Sequence, residues 1–303
     1  MIARNKIYPY GSVIISMLFW GMSFVWTAIL LRHYEPITII ILRLFISTLV
    51  LLLWLKLFKK FQKIKKSDYK LFLISSLLNP FFYFIGENYG VKLTSPTVSA
   101  VMIAMIPLFV PIVAYFSLKE RLSWVNVAGL VVSFGGVLII LLRNDLSFEF
   151  STLGILALLF AVISAVGYTI YLKKLTLTYN PIFIIAVQNM LGFVFFLPLF
   201  LTIELDQFLA VKPNTEMIVS LLALAVFCSS LAYVGFTIAM RDIGVSKANV
   251  FANLIPVFTG IFSYFVIGEE LNSQKVLGIF IVVGGLFVSQ IKKYTGPGPL
   301  NRY

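Results

Sequence analysis

The chain has 303 residues, 60% of them hydrophobic and only 12% charged, with a mean hydropathy of +0.99. A water-soluble domain is nearer half apolar and a quarter charged, so a single water-facing globule is excluded and lipid is the natural solvent. One cysteine, Cys228, and one histidine, His33, exclude an intramolecular disulfide and thiolate-rich or multi-histidine metal sites, while the net charge of +12 fits nucleic acid or an anionic membrane until its placement is known.

In chain order, apolar stretches long enough to cross a hydrocarbon core fall at 9–31, 37–58, 70–91, 96–117, 123–142, 153–172, 182–203, 216–239, 247–267 and 274–291. They are continuously apolar rather than alternating, which indicates helices and not a barrel. The connections are short, as at Thr94-Ser95-Pro96, Lys119-Glu120-Arg121 and Asn180-Pro181, and none can house a soluble domain. The first span follows Arg4 and Lys6 but is too long for a signal peptide and lacks a small-residue cleavage site. It is expected to stay in the mature protein. Alternate loops carry 18 Lys and Arg on one side, seven of them between Lys56 and Lys70, against five on the other. Both termini are therefore expected in the cytoplasm, with the protein in the plasma (inner) membrane. The excess charge reads as a topology signal, the bilayer is a partner, and nucleic acid is not.

Sliding the sequence on itself by 149 residues gives eleven ungapped identities between 101 and 136, among them Pro107/Pro256, Tyr115/Tyr264, Glu120/Glu269, Gly129/Gly278, Gly135/Gly284 and Gly136/Gly285. Five spans per repeat is an odd number, so the second copy must enter from the opposite face. The expected fold is an all-α integral membrane protein of ten transmembrane helices in two inverted five-helix repeats, 1–146 and 147–293, followed by a disordered tail at 294–303. Inverted repeats are typical of secondary transporters, with the substrate between the halves near the midplane.

Trp20-Gly21, Arg43 after Pro36, Pro107-Leu108-Phe109, Glu120-Arg121-Leu122 and Gly129 with Gly135-Gly136 resemble one EamA-type unit of the drug/metabolite transporter superfamily. Gly167, Pro256-Val257-Phe258, Glu269-Glu270-Leu271 and Gly278 with Gly284-Gly285 resemble the second. The resemblance implies a central cavity lined mainly by helices 1, 3, 4, 6, 8 and 9, helices 5 and 10 at the periphery, and movement of small organic metabolites, often outward.

Glu87 stands out, because a carboxylate within a span usually faces a cavity or a partner. Asn79, Tyr83 and Glu87 recur every four residues and are expected on one helix face. Glu87 reads either as a protonatable coupling site or ligand for a cationic group, or as the structural partner of Arg43. For Arg43, whose repeat mate is Gln188, the structural role is favoured. Polar sets at helical spacing occur at Ser16, Trp20, Ser23 and Thr27, at Ser164, Tyr168 and Tyr171, and at Ser230, Tyr233 and Thr237. Together they suggest a polar-aromatic pocket, although any single hydroxyl can simply bond a neighbouring helix. Asn249 and Asn253 offer donors and acceptors to a substrate, or an interhelical hydrogen bond. Pro107 and Pro256 are expected to bend their helices as hinges. Ser123 and Asn272 read as N-caps, and Glu120 and Glu269 as capping or loop structure.

The reading is a secondary exporter of small metabolites, amino acids first, with a nucleoside, sugar-derivative or drug exporter of the same fold as the alternative. No cofactor or metal is expected, and the chain shows neither a catalytic constellation nor a G-x-x-x-x-G-K-[ST] phosphate loop. Protons are the candidate coupling ion, and a monomer or weak dimer is expected.

Overall fold

The computed structural model of the protein describes residues 7–118, 124–141 and 151–290, and among these no strand occurs. Six helices are long and apolar enough to cross a membrane. They are α1 (Ile7–Leu30), α2 (Pro36–Leu57), α3 (Lys66–Leu93), α6 (Thr152–Thr176), α7 (Pro181–Ala210) and α8 (Thr215–Ile243). Four further apolar helices are shorter or interrupted. These are α4 (Pro96–Ile103 and Ile106–Leu118), α5 (Trp124–Leu141), α9 (Val245–Val250 and Ile255–Ile267, joined by a 3-10 turn at Phe251–Leu254) and α10 (Ser273–Gln290). Glu120, Ser123 and the 294–303 tail lie outside the described residues.

Local chemistry sets the boundaries. Proline opens α2, α7 and α4, where its missing N–H is an orphan anyway. Ser95 Oγ accepts from Val98 N, and Asn180 Oδ1 from Ile182 N. Asn272 Oδ1 accepts from Lys275 N at 2.8 Å at the start of α10. Gly244, with φ +93°, turns the chain directly from α8 into α9. Prolines also interrupt. Asn79 is extended (φ −148°, ψ 119°) ahead of Pro80, as a residue preceding proline prefers. α4 and α9 each break just before Pro107 and Pro256, which lack the N–H that a continuous helix would use.

Large apolar side chains such as Leu49, Leu53, Ile163, Phe265 and Phe280 stand outward and exposed, which lipid tolerates and water does not. Polar residues go inward instead. The bundle gathers its connections at two ends. At one, Gln207 Nε2 donates to His33 O at 2.7 Å and Lys92 pairs with Glu35. At the other, Tyr179 OH donates to Asp68 Oδ2 at 2.7 Å and Asn180 N to Gln62 Oε1 at 2.6 Å.

Contacts between the halves come in exchangeable pairs. α1 meets α8 as α6 meets α3, and α1 meets α9 as α6 meets α4. The repeat-equivalent helices α2 and α7 also meet, with Leu44 beside Gly192 and Asn189 Nδ2 donating to Ser47 Oγ, so they run antiparallel. α5 and α10 do the same through glycines. A Cβ on Gly136 would stand 2.7 Å from Val282 N, and one on Gly285 would stand 2.5 Å from Ser133 N and 2.8 Å from Gly129 O. Gly135 and Gly284, one residue away, face open space.

This difference predicts a paired result. Gly285→Ala must push α5 and α10 apart and is expected to cost about 1–3 kcal/mol. Gly284→Ala meets nothing and is expected to be neutral or to gain up to ~1 kcal/mol from helix propensity. Thermal melting of the two purified variants checks it; equal losses would show that close approach is not what Gly285 permits.

Candidate functional site

Between the halves lies a cavity of about 60 Å³ whose lining comes from α1, α2, α3, α4, α6, α8 and α9. That volume holds a few water molecules, well below the several hundred Å³ of a metabolite pocket. Its walls are largely aromatic. Trp20 meets Tyr233 edge-on at 5.0 Å and Phe236 at 5.0 Å, and Phe84 meets Tyr233 at 6.2 Å.

The charged centre is Arg43, 2% exposed, with Glu87, 7% exposed. Arg43 Nε donates to Ser229 Oγ at 2.8 Å, and its guanidinium carbon lies 4.1 Å over the Phe84 ring. Its Nη1 stands 3.8 Å from Glu87 Oε2, too far for a hydrogen bond, and has no other partner among the described residues. Glu87 Oε1 accepts instead from Tyr83 OH at 2.9 Å. Next to this pair, Asn79 Nδ2 donates to Tyr233 OH at 3.3 Å. At the repeat mate of Arg43, Gln188 Oε1 accepts from Tyr168 OH at 3.0 Å and Gln188 Nε2 donates to Ser75 Oγ.

Of the residues singled out in the sequence, Trp20, Ser23, Asn79, Tyr83, Glu87, Tyr168, Tyr233 and Asn249 line this cavity. Others lie elsewhere. Ser16 Oγ bonds Ser12 O and packs on Gly235, and Thr27 and Ser164 are buried outside the lining. Tyr171 faces Lys174 at 5.9 Å. Ser230 Oγ is 2.7 Å from Ser47 Oγ, and Thr237 Oγ1 bonds Tyr233 O one turn back. Pro107 and Pro256 sit just beyond Ile106 and Ile255, the residues that do line the cavity at the two helix breaks. Glu269 accepts from Ser95 Oγ (2.7 Å) and Thr97 Oγ1 (2.9 Å), so a carboxylate of the second half caps the first turn of α4.

Two expectations need correction. Asn79 does not share a continuous helix with Tyr83, because Pro80 breaks α3 between them; the break itself turns Asn79 toward the cavity. And α2 does reach the cavity, because the long side chain of Arg43 extends past Phe84 into it. Sequence reasoning also missed Phe84, Thr169, Phe236 and the Ser229 hydroxyl, which carry no distinguishing signal in so apolar a chain.

Asn253 is 1% exposed, and neither atom of its amide has a hydrogen-bond partner. Asn253→Ala is therefore expected to leave the melting temperature unchanged or raise it, since no bond is lost. If the amide meets substrate as the helix break moves, uptake by the variant in proteoliposomes falls; a collapse in stability would instead reveal an interhelical bond.

The sequence profile of the EamA-like transporter family matches residues 8–142 and again 152–290. The chain belongs to that family. It is a membrane transporter of the drug/metabolite superfamily. An uncharacterized transporter of Bacillus subtilis, YetK, is 26% identical over 297 residues, covering 97% of this chain and 90% of the relative. An uncharacterized transporter of Archaeoglobus fulgidus is 27% identical over 274 residues, covering 90% of this chain and 95% of the relative. A solved crystal structure, with no function in its description, superposes with a TM-score of 0.73 over 93% of this chain and 98% of that one, at 16% identity. That likeness concerns the fold. Within the family match, the Arg43–Glu87 centre falls in the first matched unit and Tyr168, Tyr233 and Asn249 in the second.

Proposed function

We propose that the protein is a secondary exporter of small organic metabolites, amino acids and their analogues first, working by alternating access through the central cavity. All ten apolar helices cross the membrane in this reading, as two inverted repeats, with both termini in the cytoplasm. The antiparallel packing of α2 on α7 and of α5 on α10 supports the inversion, since repeat-equivalent helices related by an axis in the membrane plane must oppose one another. The single observation that carries the function is the polar-aromatic cavity lined by both halves. Its small volume means that substrate enters only when the halves move. The breaks in α4 and α9 border the cavity and can absorb that motion. The Glu269 contact with Ser95 and Thr97 and the Lys92–Glu35 pair close one end, and they part when that end opens.

A melting-temperature screen of purified protein against a metabolite library is expected to find ligands that stabilise it. Their uptake into proteoliposomes should saturate and be competed by unlabelled ligand. Flux that rises linearly without competition would contradict a carrier.

Orientation has its own test. Cys228 is fully buried, and Lys212 stands exposed at one end with Lys63 at the other. In a Cys228→Ser background, Lys212→Cys is expected to react with an impermeant maleimide in intact cells and Lys63→Cys only after lysis. The reverse pattern inverts the topology.

A further inference from the structure

We infer that the loop joining α2 to α3 is a binding surface for anionic phospholipid headgroups. None of its residues lines the central cavity, so the inference stands apart from the transport reading. The segment carries seven lysines between Lys56 and Lys70 against a single acid, Asp68. All seven are exposed, and among the described residues none has a carboxylate within ion-pair distance. Asp68 is committed elsewhere: its Oδ2 accepts from Tyr179 OH at 2.7 Å and its Oδ1 from Ser67 Oγ at 3.1 Å. At the opposite end, by contrast, Lys92 pairs with Glu35 and Lys275 lies 3.8 Å from Glu269. A dense cationic patch repels itself unless counter-charge comes from outside the chain.

The lysines are presented by a backbone fastened at several points. Lys60 N donates to Leu55 O at 2.9 Å with Lys59 in the left-handed region (φ 50°), which turns the chain off the end of α2. Lys65 N donates to Tyr179 OH at 3.0 Å, Gln62 Oε1 accepts from Asn180 N at 2.6 Å, and Ile64 packs on the core. The patch is therefore preformed, and holding a ligand costs little further ordering.

Depth decides the partner. Phe45, Leu49, Leu53 and Leu57 recur every four residues and stand exposed, so they form one outward stripe along α2 that meets acyl chains. The stripe runs directly into the lysines, and Phe58, Phe61 and Tyr69 stand 56–60% exposed among them. Aromatic rings beside ammonium groups at the end of a lipid-facing stripe sit at headgroup level. Lysine stems lie along apolar surface there while their heads meet lipid phosphates. A nucleic acid or an acidic protein would supply the negative charge but nothing for the phenylalanines. Anionic lipid supplies both.

The test uses the purified full chain in neutral detergent, titrated with phosphatidylglycerol or phosphatidylcholine of the same acyl chains and read by native mass spectrometry. The protein is expected to bind phosphatidylglycerol at least about tenfold more tightly. Raising ammonium acetate to about 1 M, where the screening length falls to ~3 Å, should remove most of that difference. Changing Lys59, Lys60, Lys63, Lys65 and Lys66 together to Gln should abolish the preference, and changing the same five to Arg should retain it. If the fivefold Gln protein does not fold, the Lys63→Gln/Lys66→Gln protein carries the comparison, with the preference reduced at least about threefold. Equal affinity for the two lipids, or an undiminished preference in the Gln variants, would overturn the assignment. So would displacement of phosphatidylglycerol by equimolar glycerol phosphate or polyglutamate, which would give the patch to a free phosphate or to an acidic protein instead.

Discussion

Glu87→Gln is expected to destabilise the protein by about 3–5 kcal/mol, because it leaves the Arg43 guanidinium uncompensated in the bundle interior. Arg43 has nowhere to go. It is 2% exposed, held by Ser229 and Phe84, with Glu87 as its one close carboxylate among the described residues. Glutamine keeps the acceptor for Tyr83 OH, so the loss belongs to the charge rather than to shape or hydrogen bonding. Adding Arg43→Gln removes the second charge and is expected to recover much of the loss, giving a coupling that a double-mutant cycle of melting measurements reads directly. Transport should fail in the single and double variants alike if Glu87 and Arg43 also hold the substrate. A Glu87→Gln protein that is stable and transports normally would leave Glu87 without either role.

Glu204→Ala is expected to cost roughly 2–4 kcal/mol, a large effect for a residue outside the cavity lining. Its carboxylate, 3% exposed, accepts from Ile37 N at 3.2 Å and from Thr38 N and Thr38 Oγ1 at 2.6 and 2.8 Å. It therefore caps the first turn of α2 from the far end of α7, doing in trans what an N-cap residue does locally, and its charge opposes the positive end of that helix. Glu35, next to Pro36, makes no such side-chain cap. Its pair with Lys92 is about 40% exposed, so Glu35→Ala is expected to cost only ~0–1 kcal/mol. Comparable losses for the two variants would show that Glu204 is not the cap.

Glu204 also shows where a sequence stops being legible. It sits among Leu201, Thr202, Ile203 and Leu205 with no spacing that ties it to Thr38, some 166 positions away. Glu269 was marked by the repeat as capping or loop structure, but nothing local says that its carboxylate reaches the first turn of α4. Arg43 is visible in the sequence as an intramembrane cation, yet the family resemblance implies a cavity lined by other helices, and a helix-by-helix lining leaves out the reach of a long side chain. At Asn79 the spacing misled, because a period of four assumes a helix that Pro80 interrupts.

What the sequence determined by itself follows from solvent and covalent chemistry. Long apolar runs must be helices in lipid because each backbone N–H and C=O needs a partner and only a helix supplies it within one segment. Prolines and glycines fix where those helices start and break, and the internal repeat joins two matched units in one chain. Which residues share the cavity was decided only by tertiary structure. Ser, Thr, Tyr and Asn can satisfy themselves on their own helix, on a neighbour or on a ligand at little difference in energy. Packing between the halves chose among these. It sent Ser230 to Ser47 and Thr237 to its own backbone, and it left Arg43 and Trp20 with free donors in the cavity wall.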